Sequence, residues 1–218
     1  VENCGAGLDE TGRLSARVDG TVTLTIGTQD NGQGHHTAYA QIVADRLGID
    51  MDRVRVVQGD TDEVRDGRGT GGSRSIPLGG VSCDRAATAL IEKGTRIAAE
   101  MLEAAPADIE YADGTFAIAG TDRRLTLAAV AAAAEDPANL PEGEEPGLGG
   151  EGTHGSSQHT FPNGCHVCEV EVDPETGNVT IERYVVVDDF GLVLNPMLLA
   201  GQVYGLSLIH ISEPTRLR

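Results

Sequence analysis

Two stretches of this chain repeat one order: an apolar strand, a glycine-rich loop, then a helix. In the first, TVTLTIGT (residues 21–28) alternates β-branched and small residues and predicts a strand. A helix follows from about Thr37 to Leu47, with Ile42, Val43 and Leu47 on one face and Gly48 just past its end. Between them lies Asn31-Gly32-Gln33-Gly34-His35. A tight turn needs one glycine; two flanking a glutamine suggest backbone brought close to something that is not protein. N–H groups at a helix start are unpaired and the helix dipole there favours an anion. Gln33 can donate and accept at once, which suits a ring edge carrying amide and carbonyl groups. Taken alone, an ordinary glycine turn accounts for this loop equally well.

The second stretch weighs against that plain reading. DRVRVVQGD predicts another strand, residues 61–80 a loop rich in Gly, Arg and Asp, and Val81 to about Ala104 a long helix with apolar residues at three- and four-residue spacing. Gly94 is the weak spot of that helix. The loop contains GTGGSRS, in which Gly72, Ser73, Arg74 and Ser75 could form a nest of N–H groups with a guanidinium suited to phosphate. If both strands end on the same edge, the two loops converge. Neither matches a standard phosphate motif. The Gly-Lys-Ser/Thr ending of a P-loop is missing, as are the third glycine and downstream acid of the dinucleotide fingerprint.

The rest reads as a hairpin turning at Asp113–Gly114, a short helix in LTLAAVAAAA, and two long strands around Pro-Glu-Thr-Gly within 164–189. Residues 135–160 carry three prolines, many glycines and no Lys or Arg, and are expected to be a mobile acidic loop. The class expected is α+β, with mixed sheets and packed helices. Apolar residues make up 39% and aromatics 3%, so the core must come from Val, Ile, Leu and Ala. A formal charge of −18 argues against nucleic acid or an anionic membrane as partner. No apolar run is long enough to span a bilayer, and the expected location is cytoplasmic.

Other clusters resemble sites but have simpler explanations. His154, His159, Cys165, His166 and Cys168 look metal-binding, yet Cys165 and Cys168, three apart on a strand, face opposite sides and are expected to pack in a sheet. Asp188 and Asp189 are adjacent on a strand and point apart, which suits a strand end leading into a turn, not a shared-proton dyad. No metal ligand is assigned.

The tail LSLIHISEPTR (206–216) resembles, residue for residue, one reading frame of a transposase sequencing adapter. Residues 206–218 are therefore expected to be non-native, with the natural segment ending near Gly205.

Taken in order, GTQDNGQGHHTAYAQIVADRLGI, GTGGSRS and VDDFGLVLNPMLLAGQVYG resemble the molybdenum-binding large subunit of the xanthine dehydrogenase, aldehyde oxidase and carbon monoxide dehydrogenase family, over residues 1–205. The resemblance implies part of a molybdopterin-binding domain. Asn31, Gly32, Gln33, Gly34 and His35, with Gly72, Ser73, Arg74 and Ser75, would hold a molybdenum cofactor, commonly its cytosine dinucleotide form. It also implies hydroxylation of an aldehyde or N-heterocycle with oxygen from water, or carbon monoxide oxidation, and partner subunits or domains carrying 2Fe–2S clusters and FAD. The family's catalytic glutamate and copper-binding cysteine would fall outside Val1–Gly205, so no catalytic residue is assigned and these residues by themselves are expected to be inactive. The alternative is a non-catalytic module that binds a nucleotide or other phosphate with the same loops.

Overall fold

A computed structural model describes residues 4–5, 9–141, 143–156, 158 and 160–211, the last six by backbone alone. Its centre is a four-stranded sheet in the order β3-β2-β1-β7. The strands are β1 (Asp9–Ala16), β2 (Val22–Ile26), β3 (Val54–Val57) and β7 (Leu148–Gly155). β1 runs antiparallel to both β2 and β7, while β2 and β3 are parallel. A parallel pair requires a crossover, and α1 (His35–Leu47) provides it. Consequently β2 and β3 end on the same edge, and the loops leaving them are neighbours.

The long helix α2 (Val81–Leu102) packs against β1 and β7, with α1 beside it. It follows directly from one turn of π-helix at Ser75–Gly80, residues the sequence assigns to the loop. A second sheet, β4 (Ile109–Ala112), β5 (Thr115–Ile118) and β6 (Arg124–Thr126), is the expected hairpin plus one strand, and α3 (Leu127–Ala134) follows it. The core holds the expected aliphatics, among them Leu14, Val22, Leu24, Val43, Leu90 and Ile97. Two aromatics join them: Tyr39 and Phe116 are fully buried.

Two departures concern strands. β1 is not evident in the sequence, because its inward positions are Glu10, Gly12, Leu14 and Ala16 and so lack apolar alternation. β7 occupies part of the stretch expected to be a loop. Its sequence LGGEGTHG is poor in strand formers, but α2 lies so close that only glycine fits. A Cβ at Gly150 would collide with Ala86 O, and one at Gly152 would lie 2.5 Å from Ser82 O.

The remaining strands, β8 (Asn163–Val172) and β9 (Val179–Asp189), form a two-stranded ribbon, as expected. Cys165 pairs across from Val187 and Cys168 from Tyr184, on opposite faces. Both cysteines are exposed rather than packed, because neither face of the ribbon is covered among the described residues. β9 ends at Asp189 and a turn leads to α4 (Pro196–Ile211). Asn195 caps α4 by accepting from Leu198 N at 3.0 Å and donates its amide to Gln41 Oε1 at 2.9 Å. The helix runs on through 206–211; 212–218 lie outside the described residues.

Candidate functional site

The two glycine loops meet, as their position after parallel strands requires. Gly69 N donates to Gly27 O at 3.1 Å. Thr70 Oγ1 donates to Gln29 O at 2.7 Å and accepts from Gln29 N at 3.1 Å. Beneath them, the buried Tyr39 hydroxyl bridges the loops: it donates to Ser75 O at 2.8 Å and lies 2.9 Å from Thr28 Oγ1. Gln58 completes this floor by donating to Thr28 O and Thr28 Oγ1.

The first loop is folded largely on itself. Gln33 accepts from Asn31 N and donates to Gln29 O at 3.3 Å. Asp30 accepts from Gly32 N at 2.7 Å and from His36 N at 3.2 Å, so a carboxylate already occupies the start of α1. Burial raises the Asp30 pKa, but these bonds, with the nearby His35 and His36, bring it below the ordinary value. Gly34 caps α1 at φ 84°, and a Cβ there would lie 2.5 Å from Leu198 of α4. His35 is buried, its ring 5.6 Å from that of Tyr39 and within reach of the Gln29 backbone. Burial holds the His35 pKa below its ordinary value despite the charge of Asp30.

The second loop is open. Among the described residues nothing lies within 4 Å of a Cβ added at Gly69, Gly71 or Gly72, and φ is positive at Gly69, Gly72 and Ser73. Its far side is fastened by Gly5 N, which donates to Gly72 O at 3.0 Å. Arg74 departs from expectation. Its side chain turns inward and is 2% exposed, meeting Glu10 Oε2 at 2.9 Å and donating to Gly69 O and Asp9 O. A guanidinium committed in this way is not aimed at a phosphate outside the loop.

Glu10 is the residue the sequence reading misses. It accepts from Gly27 N at 3.0 Å while facing Arg74, and so touches both loops. Burial pushes its pKa up; Arg74 and the N–H groups of Gly27 and Thr11 pull it back only in part. Thr70 and Tyr39, which tie the loops, were equally unmarked. No sequence signal marked Glu10, since β1 itself carries no apolar alternation.

The remaining candidates do not assemble. His166 lies 3.0 Å from Tyr184 OH and 3.2 Å from Asp188 Oδ1 on the ribbon. His154 stands on β7 opposite Glu10, and His159 lies outside the described residues. Among the described residues, no three His, Cys, Asp or Glu side chains could share a metal ion. None of the helices among them is long and apolar enough to cross a membrane.

Comparison with known proteins shows the family of the chain. A family model described as the molybdopterin cofactor-binding domain matches residues 1–206. The gamma subunit of the 6-hydroxypseudooxynicotine dehydrogenase complex of Paenarthrobacter nicotinovorans is 37% identical over 205 residues, which cover 94% of this chain and 26% of that protein. The carbon monoxide dehydrogenase large chain of Hydrogenophaga pseudoflava is 36% identical, covering 92% and 25%. Among solved structures, Cu,Mo-CO dehydrogenase in its carbon monoxide reduced state superposes with a TM-score of 0.80 at 34% identity, over 94% of this chain and 27% of that one. Quinoline 2-oxidoreductase from Pseudomonas putida 86 gives 0.78 at 32%, over 94% and 28%. The chain thus spans about a quarter of the length of the curated relatives it matches. It belongs to the molybdopterin cofactor-binding domain family, with relatives that include carbon monoxide dehydrogenase large chains and xanthine dehydrogenase molybdenum-binding subunits.

Proposed function

We propose that the two glycine loops are the cradle of a molybdopterin cofactor in a molybdenum hydroxylase subunit. The observation that carries this reading is the pairing of a fixed frame with an open face. Thr70, Gln29 and Tyr39 fasten the loops to each other, while Gly69, Gly71 and Gly72 leave their outer side clear of the other described residues. Backbone can approach a large planar, phosphorylated ligand only where no Cβ intervenes. The residues present therefore fit the group.

When bound, the cofactor supplies the redox-active metal for water-derived hydroxylation. The contribution of this chain is to bind and orient. Residues 70–72 would offer N–H groups to the phosphates, in keeping with the inward course of Arg74. Gln33, now bonded within its own loop, would exchange Gln29 O for a polar edge of the ligand. Asn31, Gly32 and Gly34 let that loop lie close, and Ser75 anchors the far end through Tyr39. The cytosine dinucleotide form, partners carrying 2Fe–2S and FAD, and a cytoplasmic setting belong to the same proposal. So does a substrate among aldehydes, N-heterocycles and carbon monoxide. The dehydrogenase names of the relatives weigh against a free-standing non-catalytic module.

Gly71→Ala provides the test. Its φ is not positive and no described residue lies within 4 Å of an added Cβ, so the folded protein should melt within about 2 °C of the parent. In a full-length subunit made in a cofactor-producing host, pterin and molybdenum retained per protein should drop about tenfold, as a loss of about 1.4 kcal/mol requires. Unchanged retention would argue against a cradle at this loop.

A further inference from the structure

We propose that Glu10 and Arg74 are positioning residues that set the spacing of the two loops and so their capacity to hold the cofactor; this rests on the cradle reading above. The pair is deeply buried, both side chains being 2% exposed. As a stabilising device it is poor. The charges approach to 2.9 Å, but both are taken out of water to do so. Buried ion pairs are often replaceable by apolar residues without loss of stability.

What apolar residues could not do is reach the backbone groups these two engage. Glu10 Oε1 accepts from Gly27 N, where the first loop leaves β2. Arg74 donates to Gly69 O, where the second loop turns, and to Asp9 O on β1. Ser82, in the first turn of α2, donates to Glu10 O at 2.8 Å. One ion pair thereby ties β1, both glycine loops and, through the Glu10 carbonyl, the start of α2. The approach is close enough that a Cβ at Gly27 would lie 2.8 Å from Glu10 Oε1. Arg74 thus serves the ligand from behind: it holds Gly69 in place and leaves the outer face of residues 70–72 to backbone N–H groups.

Two variants in a full-length subunit test this. Glu10→Gln/Arg74→Met removes both charges together and leaves neither one buried alone. Arg74→Lys keeps the charge but has no planar fork with which to reach Gly69 O and Asp9 O at once. The parent is first shown to retain pterin, measured as the fluorescent product released by acid oxidation; a parent that retains none defeats the cradle reading itself. Given a loaded parent, the folded fraction of each variant should retain at least about tenfold less pterin, and amides of 27–34 and 69–75 should exchange faster while those of α2 do not. A folded variant of either kind that retains pterin like the parent overturns the positioning role. If the double variant does not fold, Arg74→Lys decides alone by the same measure.

Discussion

At the scale of single residues, the geometry around His35 makes a pH prediction. Burial disfavours its imidazolium and holds the pKa below 6.5, although the charge of Asp30 acts in the other direction. The folded protein then binds a proton less readily than the unfolded chain. The contribution to stability is full above 6.5 and is lost as pH falls through 6.5 toward the lower folded value. Glu10 acts oppositely: with its pKa raised above the ordinary 4.5, stability gains as pH falls through the range above 4.5. Thermal melts of His35→Gln and its parent isolate the histidine. The parent should lose more stability than the variant between about pH 7 and about pH 5.5, and identical slopes would contradict the assignment. A second prediction concerns Gly27, where a Cβ would collide with Gly67 and come within 2.6 Å of Asp66 O. Gly27→Ala should cost about 1–3 kcal/mol in denaturant titration. Residues of this kind divide what a sequence reveals from what it hides. Gly32, Gln33, Gly34 and Gly72 were conspicuous because glycine spacing after a strand has few uses. Glu10, Thr70 and Tyr39 were not, because their roles depend on partners 17, 41 and 36 residues away.

Among the elements, α2 is the organiser, and its closest neighbours are glycines. Gly94 looked like a flaw in the helix. It faces Phe116, whose ring an added methyl group would strike. Helix propensity alone would make Gly94→Ala stabilising by about 1 kcal/mol. The packing predicts a net loss of about 1–2 kcal/mol instead, measurable by chemical denaturation. The same logic governs β7. Gly150→Val improves strand propensity yet drives a branched side chain into Ala86 and Leu90, so it should destabilise by more than about 2 kcal/mol. Period-based reading succeeded for β2, α1, α2, β8 and β9, whose patterns come from their own side chains. It failed for β1 and β7, where the buried face is set by an ion pair and by backbone touching a helix. Neither leaves an apolar repeat in the sequence.

For the molecule as a whole, the notable balance is a formal charge of −18 on a chain proposed to hold a phosphorylated ligand. The arrangement is consistent if the ligand meets oriented N–H groups rather than exposed cations, with Arg74 buried against Glu10. Dipoles at contact distance are less screened than surface charges. Cofactor retention should therefore change less than about threefold between about 0.05 M and about 0.5 M salt, whereas a site built on exposed Lys and Arg would lose far more. The central claim, that these two loops together form the cradle, is tested most directly by amide hydrogen exchange on the loaded and cofactor-free full-length subunit. Protection on loading should concentrate in residues 27–36 and 69–75, with little change along β8 and β9. Protection confined to other segments, or to one loop alone, would contradict the account.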